Sequence, residues 1–291
     1  MQAVKKSRPA SFAAVFAVYL LAFLLGLFLY HAFPLAPFLR LLIADAGATV
    51  LTFLFSVLFH NASVYDPYWS AAPPAILLAL LPGKALTPLR AVLLALVLFW
   101  GVRLTANWAV NFRNLESEDW RYRMLREKTG RLYPAVNFFG IHLVPTLIVY
   151  LCVLPAAAAF WEENAWTALS LPFALLSFGA VFLELIPDLQ MRRHRREHPG
   201  ELIRTGLWKY ARHPNYLGEI LFWWGIALAV LPAFPGRWEF LSGAAVNTLL
   251  FLFVSIPMAE DRQSRKPGYA AYKRETRMLL PLPKRPGKRG A

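Results

Sequence analysis

The chain has 291 residues, of which 57% are hydrophobic and 16% charged, with a mean hydropathy of +0.42. That balance excludes an ordinary water-soluble domain, and several apolar windows approach or exceed the ~20 residues that cross a bilayer, so the expected fold class is all-α: a polytopic helical membrane protein with seven to eight transmembrane helices. The formal net charge of +14 does not point to nucleic acid, because the basic residues sit in blocks between apolar segments, where the positive-inside rule puts them.

Lys5, Lys6 and Arg8 lead into a first apolar segment at residues 12–33. It has the basic flank of a signal peptide but no small-residue cleavage site, so it is expected to stay as a span. A second segment, 38–60, contains Asp45. The third, 71–81, is short, begins with Pro73-Pro74 and ends at Pro82-Gly83, which marks either a thin crossing or a re-entrant piece. Further spans are expected at 89–108, 135–160, 167–186, 216–231 and 240–258. If all eight cross with the N-terminus inside, the cytoplasmic segments 1–9, 113–131, 192–212 and 262–291 hold 26 of the 31 lysines and arginines. The opposite side carries the acidic loop Trp161-Glu162-Glu163-Asn164, and both termini are therefore expected in the cytoplasm. The lone Cys152 lies in an apolar run and excludes an intramolecular disulfide or a thiolate metal cluster.

Four polar clusters fall at the cytoplasmic ends of these spans, and this convergence points to a cavity open to the cytoplasm. The first, Asn61 to Ser70, contains Tyr65, Asp66, Tyr68 and Trp69; its plain alternative is an interfacial aromatic belt. In the second, Arg103, Asn107, Asn111 and Asn114 recur at helical spacing and form one polar stripe, either lining a groove or ending a solvated helix. The third places Glu184, Asp188 and Gln190 before the run Arg192-Arg193-His194-Arg195-Arg196, whose forked donors suit phosphate but which also serves as a topology signal. The fourth is Thr205 to Gly225, TGLWKYARHPNYLGEILFWWG. There Pro214 suits the first turn of a helix, Arg212 and His213 fall at its mouth, and Asn215 and Glu219 share a face. A carboxylate and an amide at the entrance of an apolar helix are costly unless used, although a juxtamembrane cap with a snorkelling Glu is the plain alternative. Glu260-Asp261-Arg262, Lys266, Tyr269 and Tyr272 extend this cluster toward the C-terminus. The chain has no glycine-rich phosphate loop, and its histidines have no ligand spacing outside the basic run, so no metal site is expected.

Across residues 140–283 the motif at 205–225, Asp188-Leu189-Gln190 and the ending Tyr269-x-x-Tyr272-Lys273-Arg274 resemble the C-terminal domain of the steroid 5α-reductase family, particularly its bacterial membrane branch. The resemblance implies NADPH in a cytoplasm-facing helical cavity and reduction of an activated carbon–carbon double bond in a hydrophobic, lipid-like substrate. It also implies residence in a bacterial inner membrane. By the same resemblance Asn215, Glu219 and Asp188 contact the cofactor, Arg192 and Arg195 match the basic residues that follow, and Arg212, His213 and Tyr216 of the motif join them; Asn111 is a looser match. It divides the chain into 1–134 on the substrate side, 135–283 on the cofactor side and a basic tail, 284–291. The tyrosine and glutamate that polarise the substrate carbonyl in that family have no clear counterpart, Trp100 standing where the tyrosine is expected. Arg-His-Pro-x-Tyr-x-Gly is also shared with the isoprenylcysteine and phospholipid methyltransferases, which bind S-adenosylmethionine and carry an acidic pair further on, as Glu260-Asp261 does here. A third reading is a non-catalytic membrane protein. Expected partners are the hydrophobic substrate and membrane lipids, with no nucleic acid and the oligomeric state open.

Hydride transfer to a conjugated double bond builds negative charge on the substrate's carbonyl oxygen, so the site needs a donor or a neutral acid facing it. Tyr65, Asp66 and Tyr68, at the cytoplasmic end of the second span, are the catalytic candidates, with Tyr216 and Tyr122 next in line.

Overall fold

The structure, a computed structural model, describes residues 2–162 and 165–282. Glu163 and Asn164 of the expected acidic loop, and the basic tail 284–291, lie outside the described residues. Among the described residues seven helices are long and apolar enough to cross a membrane: Arg8–Ala32, Pro37–Leu58, Pro88–Asn111, Trp120–Trp161, Ser170–Glu197, Pro214–Ala233 and Trp238–Ser264. The only β-pairing among these residues is an isolated bridge between Ala211 and Arg277.

The chain forms two compact units, Met1–Trp166 and Thr167–Ala291. The first contains α1 (Arg8–Ala32), α2 (Pro37–Leu58), α3 (Tyr68–Leu80), α4 (Pro88–Asn111), α5 (Trp120–Thr129) and α6 (Val144–Trp161). Proline opens α2 and α4 at the first helical position, where a missing N–H leaves no broken bond, and Thr87 caps α4 by accepting from Arg90 N at 3.3 Å. α1 packs along α2. α3, the expected third crossing, is a 13-residue helix of roughly 20 Å, against the ~30 Å of a hydrocarbon core. It packs against α4 and α6. Gly101 of α4 permits the approach: a Cβ there would come within 2.6 Å of Ser70 O, and Ser70 Oγ meets Thr105 Oγ1 at 2.9 Å. Because α6 buries its apolar surface against α2, α3 and α4, the compact unit runs on to Trp166, past the division at 134/135 drawn from sequence. Arg90 helps to close this unit. Its guanidinium donates to Ala159 O at 2.6 Å and Glu162 O at 3.1 Å, satisfying carbonyls that the end of α6 leaves unpaired.

The second unit contains α7 (Ser170–Glu197), α8 (Pro214–Val230), α9 (Ser242–Leu250), α10 (Ile256–Ser264) and α11 (Tyr269–Glu275). α7 and α8 are its most extensive pair and run antiparallel, with Ser177 opposite Gly225, Glu184 opposite Gly218 and Asp188 opposite Asn215. Both glycines are needed for this closeness, since a Cβ on Gly218 would lie 2.8 Å from Ala180 O and one on Gly225 would lie 2.8 Å from Phe173 O. Two apolar helices held this close leave room for few polar groups between them, and those present are ordered in register along the seam.

Candidate functional site

In the first unit the chain leaves α2 through a tight reversal. His60 adopts φ 50°, and Asn61 N bonds back to Ser56 O at 2.9 Å. Asn61 then caps the following turn by accepting from Ser63 N at 2.8 Å and donates to Leu115 O at 2.7 Å, while Glu118 accepts from Ala62 N at 3.0 Å and from Arg126 at 2.8 Å. This pinned turn sets the positions of Tyr65, Asp66 and Tyr68.

The three catalytic candidates point to three different partners. Tyr65 Oη lies 2.7 Å from Thr146 Oγ1 on α6. Tyr68 Oη donates to Asp45 Oδ1 on α2 at 2.8 Å. Asp66 accepts from Tyr122 Oη and stands 3.7 Å from Arg121, with its side chain 16% exposed. Burial pushes the Asp66 carboxyl up to about 6, against the pull of Arg121. The tyrosines stack on each other with ring centres 5.2 Å apart, and the Tyr65 ring also lies 4.7 Å from that of His142.

Tyr68 and Asp45 line a largely apolar cavity of about 190 Å³ between α1, α2 and α3, which Tyr19, Tyr30 and His31 also border. Small residues make the space: Ala22 and Gly26 on α1, Ala44 and Ala48 on α2, Ala72 and Ala75 on α3. A hydrocarbon ligand with one polar group matches such a wall, its tail against the alanines and its oxygen at the hydroxyl. Asp45 was visible in the sequence as the acidic residue inside an apolar span, the usual mark of a functional group there, but nothing in the sequence paired it with Tyr68.

In the second unit the α7–α8 seam ends in polar chemistry. Asn215 Nδ2 donates to Asp188 Oδ1 at 3.2 Å, and both side chains are half-buried. Glu219, one turn deeper and 8% exposed, accepts from Trp223 Nε1 at 2.9 Å. Gly206, with φ 60°, lies flat against the Gln190 side chain; Leu207 N donates to Gln190 Oε1 at 3.0 Å and Trp208 Nε1 to Pro187 O at 3.1 Å. The start of the 205–225 motif is thus a clasp on α7. Arg192 is half-buried and Arg195 exposed at the basic end of α7.

Arg212 and His213 are turned inward. Arg212 donates to Glu260 Oε1 at 2.7 Å and to Thr276 O at 2.5 Å, His213 Nε2 lies 3.4 Å from Glu260 Oε1, and Lys273 Nζ meets Glu260 Oε2 at 2.6 Å. The backbone repeats the tie, Arg212 N donating to Arg277 O and His213 N to Met278 O. Tyr216 stacks on His213, ring centres 5.2 Å apart, and packs against Phe251. The structure therefore brings Asp188, Asn215 and Glu219 along one seam and places Arg212, His213 and Tyr216 in an adjoining knot. Asn111 belongs to the first unit, where it is exposed and donates to Asn107 O at 2.7 Å.

Residues 52–276 match the family described as Protein of unknown function (DUF1295). An uncharacterized protein of Schizosaccharomyces pombe is 29% identical over 199 residues, 58% of this chain and 57% of that protein, so the chain spans a little over half of the relative's length. No solved structure matches the chain.

Proposed function

The chain belongs to the DUF1295 family, whose description carries no activity, and we propose from its two sites that it is a membrane-embedded, NADPH-dependent reductase of a carbon–carbon double bond in a hydrophobic, carbonyl-bearing lipid. The observation that carries this reading is the Tyr68–Asp45 pair, at 2.8 Å, facing a largely apolar cavity. An enone of steroid or isoprenoid type would place its carbonyl oxygen at Tyr68 Oη. As hydride reaches the β-carbon, charge moves onto that oxygen, where a pre-positioned hydroxyl in a water-poor site stabilises it most. The reduction consumes one hydride and one proton; a protonated Asp45 would donate to Tyr68 Oη instead of accepting from it, which would leave the Tyr68 proton for the substrate oxygen and make Asp45 the local store that replaces it. Asp45 thus takes the acid's part first given to Asp66, and Asp66 holds α5 through Tyr122 and Arg121.

NADPH supplies the hydride when bound. The donor set of the second unit suits it: Asp188 and Asn215 offer a carboxylate and an amide at a half-buried seam, Glu219 lies behind them, and Arg192 and Arg195 offer forked donors of the kind that grip a 2′-phosphate. Arg212 and His213 act one step back, keeping the mouth of α8 in place through Glu260. The similarity of residues 140–283 to the steroid 5α-reductase family supports the same reading. The methyltransferase alternative needs an acidic residue to face a sulfonium, and the engagement of Glu260 by Arg212, His213 and Lys273 weighs against it.

Titrating the purified protein with NADPH, NADH and S-adenosylmethionine, by nicotinamide fluorescence and thermal shift, separates the readings. NADPH binding tighter than NADH is expected. S-adenosylmethionine binding with no response to NADPH would overturn the reductase assignment, and silence toward all three would favour a non-catalytic membrane protein.

A further inference from the structure

The Tyr68–Asp45 pair serves one part of the cavity between α1, α2 and α3. The walls run from Tyr19 to His31 on α1 and from Tyr68 to Leu80 on α3, in each case a rise of about 18 Å. Tyr19 and Tyr68 meet at one end, ring centres 6.0 Å apart, and Tyr30 and His31 border the other. Beside that second end stands Arg40, one turn along α2 from the lining residue Ala44. Its guanidinium lies over the Tyr30 ring, 4.7 Å from the centre. The side chain is half-buried, and its enclosed Nε meets no acceptor among the described residues. Tyr30 Oη accepts from Trp161 Nε1 at 3.0 Å, which leaves the Tyr30 proton to give. Asp45 is five residues further along α2, about 7.5 Å by the helix rise, so the two ends of the cavity carry opposite charge.

A guanidinium partly enclosed by apolar residues, with an N–H unused, is unfavourable until an anion joins it. Topology does not account for this charge, because the expected cytoplasmic segments hold 26 of the 31 lysines and arginines and Arg40 is outside them. The space beside it is narrow. At about 190 Å³ it is little larger than the ~150 Å³ apolar cavities that take up benzene, so it admits one hydrocarbon chain and not the two tails of a phospholipid. We propose that the cavity binds a single-chain amphiphile with an anionic head, a carboxylate or an alkyl phosphate. The head lies at Arg40 and Tyr30, and the chain runs along the alanines of the wall toward Tyr68. Arg40, joined by His31 when protonated, attracts the head to this end, and Asp45 disfavours it at the other. If the reductase reading holds, on which this clause rests, the substrate is an enone on a chain with an acidic head. Binding of the head needs neither cofactor nor turnover and can be tested alone.

The probes are isotope-labelled dodecanoate, dodecyl phosphate and neutral dodecanol, added at pH 8 to the full chain in phosphatidylcholine nanodiscs, with bound probe measured by equilibrium dialysis. Ala75→Trp fills the cavity but keeps Arg40, so it gives the background from probe dissolved in lipid or held at the surface. The wild type is expected to bind the anions saturably above this background and about tenfold or more tighter than dodecanol. Arg40→Gln should weaken dodecanoate binding about tenfold and dodecanol binding by less than about threefold, the size expected for loss of one charge-assisted contact. Arg40→Lys should bring dodecanoate back to within about threefold of wild type, which a packing role for the arginine on Tyr30 would not do.

Equal dodecanoate affinity in wild type and Arg40→Gln, or wild-type binding no greater than that of Ala75→Trp, would overturn the anion site while leaving the NADPH titration and the reductase reading untouched. Displacement of dodecanoate by phosphatidylglycerol mixed into the nanodisc would assign Arg40 to a bilayer headgroup and overturn it as well. Binding of one anion and not the other supports the site and names its head. If the anions bind as expected but no chain enone with an acidic head is reduced with NADPH, the site stands and the reductase reading fails.

Discussion

The two units use polar residues in opposite ways. In the second, Arg212 and His213 of the 205–225 motif are engaged by the C-terminal segment: with Lys273 they surround Glu260, and backbone bonds lace that segment to the mouth of α8. In the first, inconspicuous residues pair across the fold: Asp45 on α2 meets Tyr68 at the wall of a cavity, and Thr49 on α2 meets Thr146 on α6. Charge concentrated in a short motif can serve to hold a loop closed. A hydroxyl and a carboxyl that the fold brings to the wall of an apolar space, as Tyr68 and Asp45 are, are better placed to meet a ligand.

The largest expected effect tests the knot. Arg212 and Glu260 are 8% and 11% exposed in their side chains, and Arg212→Ala would take one of three partners from Glu260 and the guanidinium donor from Lys273 O and Thr276 O, so it should cost on the order of 3 kcal/mol. The measurement is thermal stability and folded yield in detergent; a variant as stable as wild type would mean that Arg212 is free to bind a ligand. Next comes the cavity. Tyr68→Phe and Asp45→Asn should each lower turnover of an enone lipid by about 100-fold or more while leaving NADPH affinity within about threefold, because the residues proposed to hold the cofactor lie in the other unit. Equal losses of turnover and cofactor binding would erase the distinction between the units.

Asn215→Ala and Glu219→Gln sharpen the contrast within the second unit. They should weaken NADPH binding by about 2 kcal/mol, roughly thirtyfold, with folded yield close to wild type, the reverse of the pattern for Arg212→Ala. Loss of yield in step with binding would mark them as structural caps. Gly218→Ala tests the seam that carries Asn215. Its Cβ would press on Glu184 and on Ala180 O, so a loss of about 1–3 kcal/mol in stability is expected by thermal denaturation.

The smallest effect concerns Asp66. Its carboxyl titrates near 6 in the fold against an ordinary value of 3.8, so the folded state favours the protonated form. The resulting stabilisation is complete below about pH 4 and is lost as pH rises through 6, a change on the order of 1–3 kcal/mol. Wild type should therefore lose stability relative to Asp66→Asn between pH 4.5 and 7, and parallel melting curves across that range would refute this assignment.

The helical, membrane-spanning class was legible in the sequence because it depends on local quantities. Runs of apolar residues of bilayer length, and prolines such as Pro37, Pro88 and Pro214 at helix starts, need no knowledge of what lies across the fold. The 71–81 piece was legible only as short. That it forms a 13-residue helix against α4 and α6 depends on Gly101, in the following span, which admits it. Arg212 and His213 read as ligand groups because their partners Glu260, Lys273 and Thr276 arrive from the far end of the chain.

By itself, then, the sequence determined that this is a polytopic all-α membrane protein, since burying backbone in hydrocarbon leaves helices as the solution for such apolar runs. It also singled out the stretches that carry its polar chemistry. Which of those polar groups meet was decided only by the tertiary structure. Tyr68 finds Asp45 across 23 residues, Tyr65 finds Thr146 across 81, and Thr49 finds Thr146 across 97. Hydrogen bonds of under 3 Å between residues so far apart follow from helix packing, and small residues such as Gly101, Ala72 and Ala75 set that packing through how closely they let the helices approach and what space they leave between them.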